Sequence, residues 1–242
     1  FFSNNFLLAN VADAKFHYIK HEYILNEDGS TVYNYSHKLE YLSFFSFNRA
    51  YGETFVVYNP DWQKLTIKKS TTTMKDGLKV DSPPNAFNEV LPSCASGNPP
   101  FFNLLEMVIT HVGLERDATV ELEYTIETKS GFLPGLNGLI SIGGRSPIDL
   151  LEIVVKIPNS KELYFNETYK PERTSSGNHS VYTWKIANIP LVEDEPNQPS
   201  LDEILPFISF TTLKQGEGEK HIFSDNKLFY ADEKIISAVE EV

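Results

Sequence analysis

Apolar and polar residues alternate along most of this chain, in the two-residue period of a β-strand. The first pair of such segments, residues 15–25 and 31–42, flanks a polar turn at 26–30 in which Gly29 can take a positive φ. In the segment 119–128, every second residue is apolar, and the residues between them are glutamate or threonine. This is the pattern of strands with one buried and one solvated face, and it predicts a β-rich fold.

Further strands are predicted in the same way across the rest of the chain. They cover residues 53–58, 62–72, 104–112, 150–157, 161–169, 180–186 and 207–213. Segment 80–100, rich in proline, serine and asparagine, predicts a long surface loop, and only the tail 232–242 has helical spacing. The prediction is an all-β fold, a large antiparallel β-sandwich with a short C-terminal helix.

The domain organisation is left open by a glycine-rich segment near residues 129–147. Its second part, 131–147, holds five glycines and two prolines, which is typical of a break between structural units. Residues 1–230 are therefore interpreted as one β-sandwich module, built either on a single core or as two packed lobes divided at this segment. Residues 231–242 are predicted to form a separate helical segment.

The composition of the chain argues against several classes of function and site. The 242 residues carry a formal net charge of −12, which repels phosphate backbones and anionic lipid heads, so nucleic-acid binding is excluded from the prediction. The single cysteine, Cys94, rules out an internal disulfide framework and a structural zinc site built on cysteines. No apolar run approaches the roughly 20 residues that span a bilayer as a helix.

No residue pattern predicts catalysis, a metal site or a cofactor. Cys94 lies in a proline-rich loop without a following helix to lower its thiol pKa, and no partner base is indicated. His17 and His21 have helical metal-site spacing, but they fall in a predicted strand, where they would share a face about 13 Å apart. One metal ion cannot bridge that distance.

The acidic residues are interpreted as solvated surface. Glu121, Glu123 and Glu127 occupy one face of a single strand, whereas the paired carboxylates of a glycosidase converge from separate elements. The run at 193–195 lacks the spaced oxygen ligands of a calcium loop.

Several segments, taken in order, resemble a bacterial family, the domain of unknown function found amino-terminal to transglutaminase-like domains in secreted and envelope proteins. The resemblance covers about residues 15–215 and rests on three motifs, at 70–80, at 113–124 and at 181–206. Their distinctive residues are Asp76, Gly77, Gly113, Tyr124, Trp184, Pro190, Glu195, Pro196 and Pro206. The family's usual glycine before the Glu/Tyr-rich strand is replaced here by Asp117-Ala118, which leaves the geometry of that turn open.

This resemblance implies a non-catalytic module that precedes a papain-like domain with a Cys-His-Asp triad. The downstream transglutaminase-like domain of the same polypeptide would be the partner, and residues 231–242 the helical linker toward it. A secreted, periplasmic or cell-envelope location follows from the same resemblance. The motif residues are expected to be structural: Trp184 as a core anchor, and the prolines as an extended connection.

Three functions are compared. The first is an accessory domain that positions or presents substrate to the downstream catalytic domain. The second is a stand-alone glycan- or polypeptide-binding module of the bacterial envelope, suggested by an aromatic surplus that we otherwise assign to the core: Phe44, Phe45, Phe47, Tyr51, Phe101 and Phe102. The third is an independent enzyme such as a glycosidase, for which the sequence offers no convergent carboxylates.

Overall fold

The computed structural model describes residues 12–93, 103–193 and 195–214, and they form fourteen strands. In chain order the strands are β1 (Ala14–Leu25), β2 (Thr31–Tyr41), β3 (Glu53–Tyr58), β4 (Gln63–Thr73), β5 (Lys79–Asp81), β6 (Phe87–Val90), β7 (Leu105–Thr110), β8 (Thr119–Thr128), β9 (Asn137–Ser141), β10 (Ile148–Pro158), β11 (Tyr164–Phe165), β12 (Glu172–Ser176), β13 (His179–Ile189) and β14 (Phe207–Thr211). Short helical turns lie at Phe44–Ser46, Arg49–Gly52, Pro84–Ala86 and Leu201–Ile204.

The strands form one large sheet and two small ones. The large sheet has the order β12-β13-β10-β1-β2-β8-β4-β5. The small sheets are β3-β7-β6, called small sheet A here, and β11-β14-β9, called small sheet B. The prediction of a mostly-β fold is confirmed. One pairing differs from the predicted antiparallel arrangement, because β1 and β10 run parallel and the large sheet is therefore mixed. A parallel pair needs a long connection, and more than 120 residues separate these two strands.

The large sheet has one apolar face and one charged face. Cross-strand rows on the apolar face pass from Trp184 through Ile153, His21 and Tyr35 to Tyr124. The opposite face, called the ion-pair face here, carries lysine–glutamate pairs such as Lys20–Glu152 at 3.0 Å and Lys156–Glu22 at 2.8 Å. The sheet thus has only one side that must be shielded from water.

Both small sheets cover that apolar face. Small sheet B packs on β1, β10 and β13, where Phe210 and Ile208 meet Trp184 and Ile153 in the larger core cluster. Small sheet A packs on β2, β4 and β8, in a cluster that includes Val56, Ile109 and Leu122 together with several half-buried aromatic rings. The segments before and after residues 129–147 contribute strands to the same large sheet, through the β1–β10 pair.

Three of the strands lie in segments where the sequence predicted no strand. β6 falls inside segment 80–100, β9 inside the glycine-rich segment, and β12 in the polar connection before β13. Conversely, the strand predicted at 161–169 shrinks to the two residues of β11. The predicted C-terminal helix at 232–242 lies outside the described residues.

A glycine in β9 is required by the packing of small sheet B. Gly138 is paired with Phe210, and a Cβ at Gly138 would come within 2.2 Å of the Phe210 ring. Phe210 in turn stacks on Trp184, with the ring centroids 6.1 Å apart. The glycine therefore leaves the space in which the central ring of this core lies, which explains a strand in a sequence that is rich in glycine.

We expect Gly138→Ala to lower the free energy of unfolding by about 2 kcal/mol, because the new methyl group must displace a ring that is packed on both sides. The matched control is Gly144→Ala, since a Cβ at Gly144 meets nothing within 4 Å. Urea unfolding followed by circular dichroism measures both variants. Equal stability of the two variants would contradict this account of the core.

Candidate functional site

At one end of the sandwich, the turns at 26–30 and 59–63 and the loop at 129–136 lie side by side, and we call this region the turn end. The loop and the two turns are joined by hydrogen bonds: Ser130 Oγ donates to the carbonyl oxygen of Asp28 at 2.5 Å, and Lys129 Nζ donates to that of Asp61 at 2.6 Å. The backbone N–H of Lys129 also donates to the carbonyl oxygen of Trp62. Three separate chain segments are thus fixed against one another.

An aromatic pair stands at the turn end. The rings of Trp62 and Phe132 are stacked, with centroids 5.7 Å apart and planes inclined by 29°. Trp62 is 39% exposed and the adjacent Leu133 is 55% exposed. Partly exposed apolar side chains that lie side by side in this way can serve as a binding surface.

Clefts open to solvent flank this pair. Cleft A, about 310 Å³, is lined by Tyr23, Tyr33 and Phe132 among others. Cleft B, about 660 Å³, is lined by Tyr58, Trp62 and their neighbours. Because Phe132 borders cleft A and Trp62 borders cleft B, the stacked pair forms part of the wall between them.

A third cleft lies beside the point at which the described chain ends. Cleft C, about 510 Å³, is bordered by the turn at 26–29, by the loop at 130–135 and by Thr212 and Leu213. The polypeptide leaves the described fold at Lys214, one residue further on. The turn end is therefore next to the last described residue.

Gln63 connects the two walls of this region. Its side-chain oxygen accepts a hydrogen bond from the Asn59 backbone N–H at 2.8 Å, and its side-chain nitrogen donates to Thr128 Oγ1 at 3.2 Å. Gln63 also lines both cleft A and cleft B. The Gln63 amide thus holds the turn at 59–63 to the end of β8 at the border of both clefts.

A second cluster of chemical interest, the buried histidines, lies between the large sheet and the small sheets. His37 and His111 are only 4% and 5% exposed, with ring centroids 6.3 Å apart. His37 Nδ1 contacts the Tyr35 hydroxyl and His111 Nε2 contacts Thr54 Oγ1, each at 3.0 Å. Within the part of the chain that the structure describes, His37 Nε2 and His111 Nδ1 have no hydrogen-bond partner.

The environment of these histidines keeps them neutral. Burial, with His111 as a smaller cause, lowers the pKa of His37 to about 3, and burial lowers the pKa of His21 and of His111 to about 4. Burial also raises the pKa of the neighbouring Tyr23 to about 12. A base that takes part in proton transfer needs a pKa near the working pH, so this cluster is suited to packing and not to acid–base catalysis at neutral pH.

His17 and His21 do not share a face, contrary to the sequence prediction. A β-bulge between Phe16 and Tyr18 moves His17 to the ion-pair face, where His17 Nε2 lies 3.0 Å from Glu40 Oε2. His21 stays on the covered face, with Nδ1 2.8 Å from the Tyr33 hydroxyl. A bulge inserts one residue and so reverses the alternation on one side of it, which a strictly alternating pattern does not reveal.

Other predicted chemical groups lie apart from the turn end. Glu121 pairs with Lys69 at 2.5 Å on the ion-pair face, and its hydrogen bond from Lys69 lowers the pKa of the Glu121 carboxyl. No group of three or more histidine, cysteine or acidic side chains could hold a metal ion among residues 12–93, 103–193 and 195–214. Cys94, Phe101 and Phe102 lie outside those ranges. No helix in the described parts is long and apolar enough to cross a membrane.

The first family-motif residues occupy turns and a core position. Asp76 Oδ1 accepts a hydrogen bond from the Leu78 backbone N–H at 2.9 Å, and Gly77 takes a φ of 88° in the same turn. Gly113 has a φ of 66°, so its turn also needs the left-handed conformation. Tyr124 is buried on β8, under small sheet A.

The remaining motif residues lie in the second half of the chain. Trp184 is 2% exposed, and its indole N–H donates to the carbonyl oxygen of Tyr169 at 2.8 Å. Pro190 directly follows β13, and Pro206 directly precedes β14 and accepts a hydrogen bond from the Ile142 backbone N–H. Glu195 and Pro196 begin an exposed turn between them, closed by a hydrogen bond from the Gln198 N–H to the Glu195 carbonyl oxygen. None of the motif residues lines the clefts of the turn end.

The turn before β8 adopts the conformation that a glycine would provide. Asp117 has a φ of 69°, and its N–H donates to the carbonyl oxygen of Tyr41 at 2.8 Å. Aspartate tolerates this left-handed region better than most residues. Its carboxylate also pairs with Lys75 at 2.6 Å.

The aromatic surplus is divided between core and surface. Phe47 and Tyr51 pack against a small core cluster around Tyr41, as expected. Phe44 and Phe45 are 74% and 78% exposed, so assigning them to the core was wrong. Both residues lie in the short helical turn at 44–46, outside the strands. The contact between Trp62 and Phe132 was not predicted from the sequence, because 70 residues separate them along the chain.

Comparisons with known proteins place this fold among larger chains. The profile of DUF3857, described as a domain of unknown function with a solved structure, matches residues 27–193. A "putative protease" from Parabacteroides distasonis has a TM-score of 0.78 and 35% sequence identity, with 83% of this chain and 40% of that chain covered. Yeast LTA4 hydrolase, native or in complex with bestatin, gives a TM-score of 0.39 at 10% identity, covering 84% of this chain and 29% of that one. No curated protein matches the sequence.

We expect the free energy of unfolding to fall between about pH 7 and pH 5. In this range the unfolded chain takes up protons at histidines with an ordinary pKa near 6.5, whereas His37, His21 and His111 stay neutral in the fold. Each such histidine can lower the stability by up to about 1.4 kcal/mol per pH unit below 6.5. Acidic groups with lowered pKa, such as Glu22 and Glu121, act only below about pH 4.5 and do not mask the effect.

Urea unfolding at several pH values measures this slope in the wild-type chain and in His37→Gln. As the pH falls, His37→Gln should lose stability less steeply than the wild-type chain, because it lacks one of the three histidines that stay neutral in the fold. If the two curves run parallel across this range, His37 does not contribute in the way described.

Proposed function

The chain belongs to the DUF3857 family, and on that premise we propose that it is the non-catalytic N-terminal accessory domain of a transglutaminase-like protein. In this role it positions or presents substrate to a downstream catalytic domain of the same polypeptide. That domain, of papain-like fold with a Cys-His-Asp triad, carries out the chemistry. The protein is secreted or resides in the periplasm or cell envelope of a bacterium.

The observation that carries this proposal is the relation of the chain to a much longer protein. The chain spans two fifths of the Parabacteroides protein, which is described as a "putative protease", while 83% of the chain itself is covered. A domain of this size, with its own cores, therefore occurs beside a further 60% of polypeptide in that relative. No catalytic constellation is identified in the described part of this chain, so the chemistry is assigned to the remainder of such a protein.

The environment of the charged and titratable groups also supports a non-catalytic role for this chain. Carboxylates on the ion-pair face are matched by lysines, as in the contacts of Glu152 with Lys20 and Lys185 at 3.0 and 3.3 Å. His37 and His111 are buried and neutral. A general acid or base needs access to substrate as well as a suitable pKa, and these groups lack one or the other.

A second candidate function is a stand-alone binding module for glycan or polypeptide. It is favoured by one observation, the exposed Trp62–Phe132 pair with clefts on both sides. The two candidates differ in whether binding serves a catalytic domain in the same polypeptide. Kinetics of the parent protein distinguish them.

We expect removal of residues 1–242 from the parent protein to raise KM for its polymeric substrate about tenfold while kcat stays nearly unchanged. The physical reason is that an accessory domain contributes binding that is equal in the ground state and in the transition state. Steady-state kinetics on the polymer measure the effect, and a short substrate that cannot span both domains is the control. Unchanged kinetic constants on the polymer would contradict the accessory role.

A further inference from the structure

We propose that the turn end binds a neutral glycan chain, with one sugar ring packed against the Trp62–Phe132 pair. This inference rests on the proposed function, since it names the class of polymer that the accessory domain holds. It is carried by the shape, the chemistry and the position of the turn end.

The aromatic pair provides the apolar contact that a sugar ring requires. One face of a pyranose presents mainly C–H groups, and such a face packs well on an extended aromatic surface, which is large, rigid and partly polar at its edge. Trp62 is 39% exposed and is backed by Phe132 at 5.7 Å. Binding would cover this surface without moving the ring pair.

The clefts provide hydrogen-bonding groups that suit hydroxyls. Each of clefts A, B and C is lined by neutral amide or hydroxyl side chains. Those that line one or two of the clefts include Asn26, Ser30, Thr31, Gln63, Thr128 and Asn137. Amide and hydroxyl side chains offer both donors and acceptors, as sugar hydroxyls do. The charges near cleft B have both signs, Lys64 and Lys129 against Glu127, so they create no field that selects an anionic polymer.

The site is rigid before any ligand arrives. The bonds from Ser130 to Asp28 and from Lys129 to Asp61 fix the loop at 129–136 against both turns. At Gly29, which has a φ of 85°, a Cβ would come within 3.0 Å of Ser130 Oγ, so turn and loop are in close contact there. Binding to a preformed surface loses less conformational entropy than binding to a flexible one.

A polypeptide suits this surface less well than a glycan. An extended peptide binds best by adding a strand to a free sheet edge. The nearest such edge begins at Gln63 in β4, where β8 is the partner and β5 pairs only from Thr71 onward. That edge carries the exposed Lys64 and Lys68, and lysines on an edge strand oppose the addition of another strand.

The position of the site fits the proposed role. Thr212 and Leu213 line cleft C, and the described chain ends at Lys214. A polymer held in the clefts would therefore lie beside Lys214, the last described residue.

The test is a titration of the 242-residue chain with chitotetraose and with cellotetraose, two neutral oligosaccharides. The chain has two tryptophans, and Trp184 is buried, so a saturable change in tryptophan fluorescence reports on Trp62. Calorimetry gives Kd for the variants. We expect Trp62→Ala to raise Kd about tenfold or more, and Trp62→Phe to retain most of the binding.

Phe45→Ala is the matched control, because it removes an exposed aromatic ring that lines none of the three clefts, and it should leave Kd unchanged. Circular dichroism verifies that each variant is folded. Absence of saturable binding by either oligosaccharide at millimolar concentration would overturn the proposal. So would equal binding by wild type and Trp62→Ala, or binding of an unstructured alanine–glycine peptide in place of the sugars. The accessory role is tested separately: if deletion of the domain still alters KM in the parent protein, that role is supported even when the glycan proposal fails.

Discussion

The apolar face of the large sheet has to be shielded from water, and most features of the molecule follow from how this is done. Two three-stranded sheets share the task of covering this eight-stranded sheet. Small sheet B covers the β1–β10–β13 side and small sheet A covers the β2–β8–β4 side. The parallel β1–β10 pair joins these two halves into one sheet. Histidine and tyrosine rings contact one another on the covered face, and burial keeps His37 neutral.

The same constraint accounts for what the sequence could and could not predict. Strand β8 was predicted with its true bounds, because its alternation reflects one buried and one solvated face. Strand β9 was missed because Gly138 is selected by the ring of Phe210, a residue 72 positions away, and not by local strand propensity. Strand β12 was missed because all five of its residues are exposed at the edge of the sheet, so no alternation marks it. The mostly-β fold was therefore predictable, whereas the division into one large and two small sheets was not.

The candidate site was less predictable than the fold. Trp62 and Phe132 come together only because the turns at 59–63 and 26–30 and the loop at 129–136 meet at one end of the sandwich. The exposed Phe44 and Phe45 show that aromatic content alone does not indicate which rings form the core. By contrast, the family-motif residues lie in turns, connections and core positions, as in the left-handed turn at Gly77 and the buried Trp184. The motif residues thus occupy positions that shape the fold, whereas the proposed binding surface lies on loops that the fold holds in place.

The central claim is that this chain binds without catalysing. The most direct measurement is a comparison of the purified 242-residue chain with its parent protein at equal molar concentration, on a substrate that the parent turns over. We expect the parent protein to turn over the substrate, and the chain alone to give no rate above that of buffer. Turnover by the chain alone, abolished by a single substitution within it, would contradict the account and would show that an active site lies within these residues.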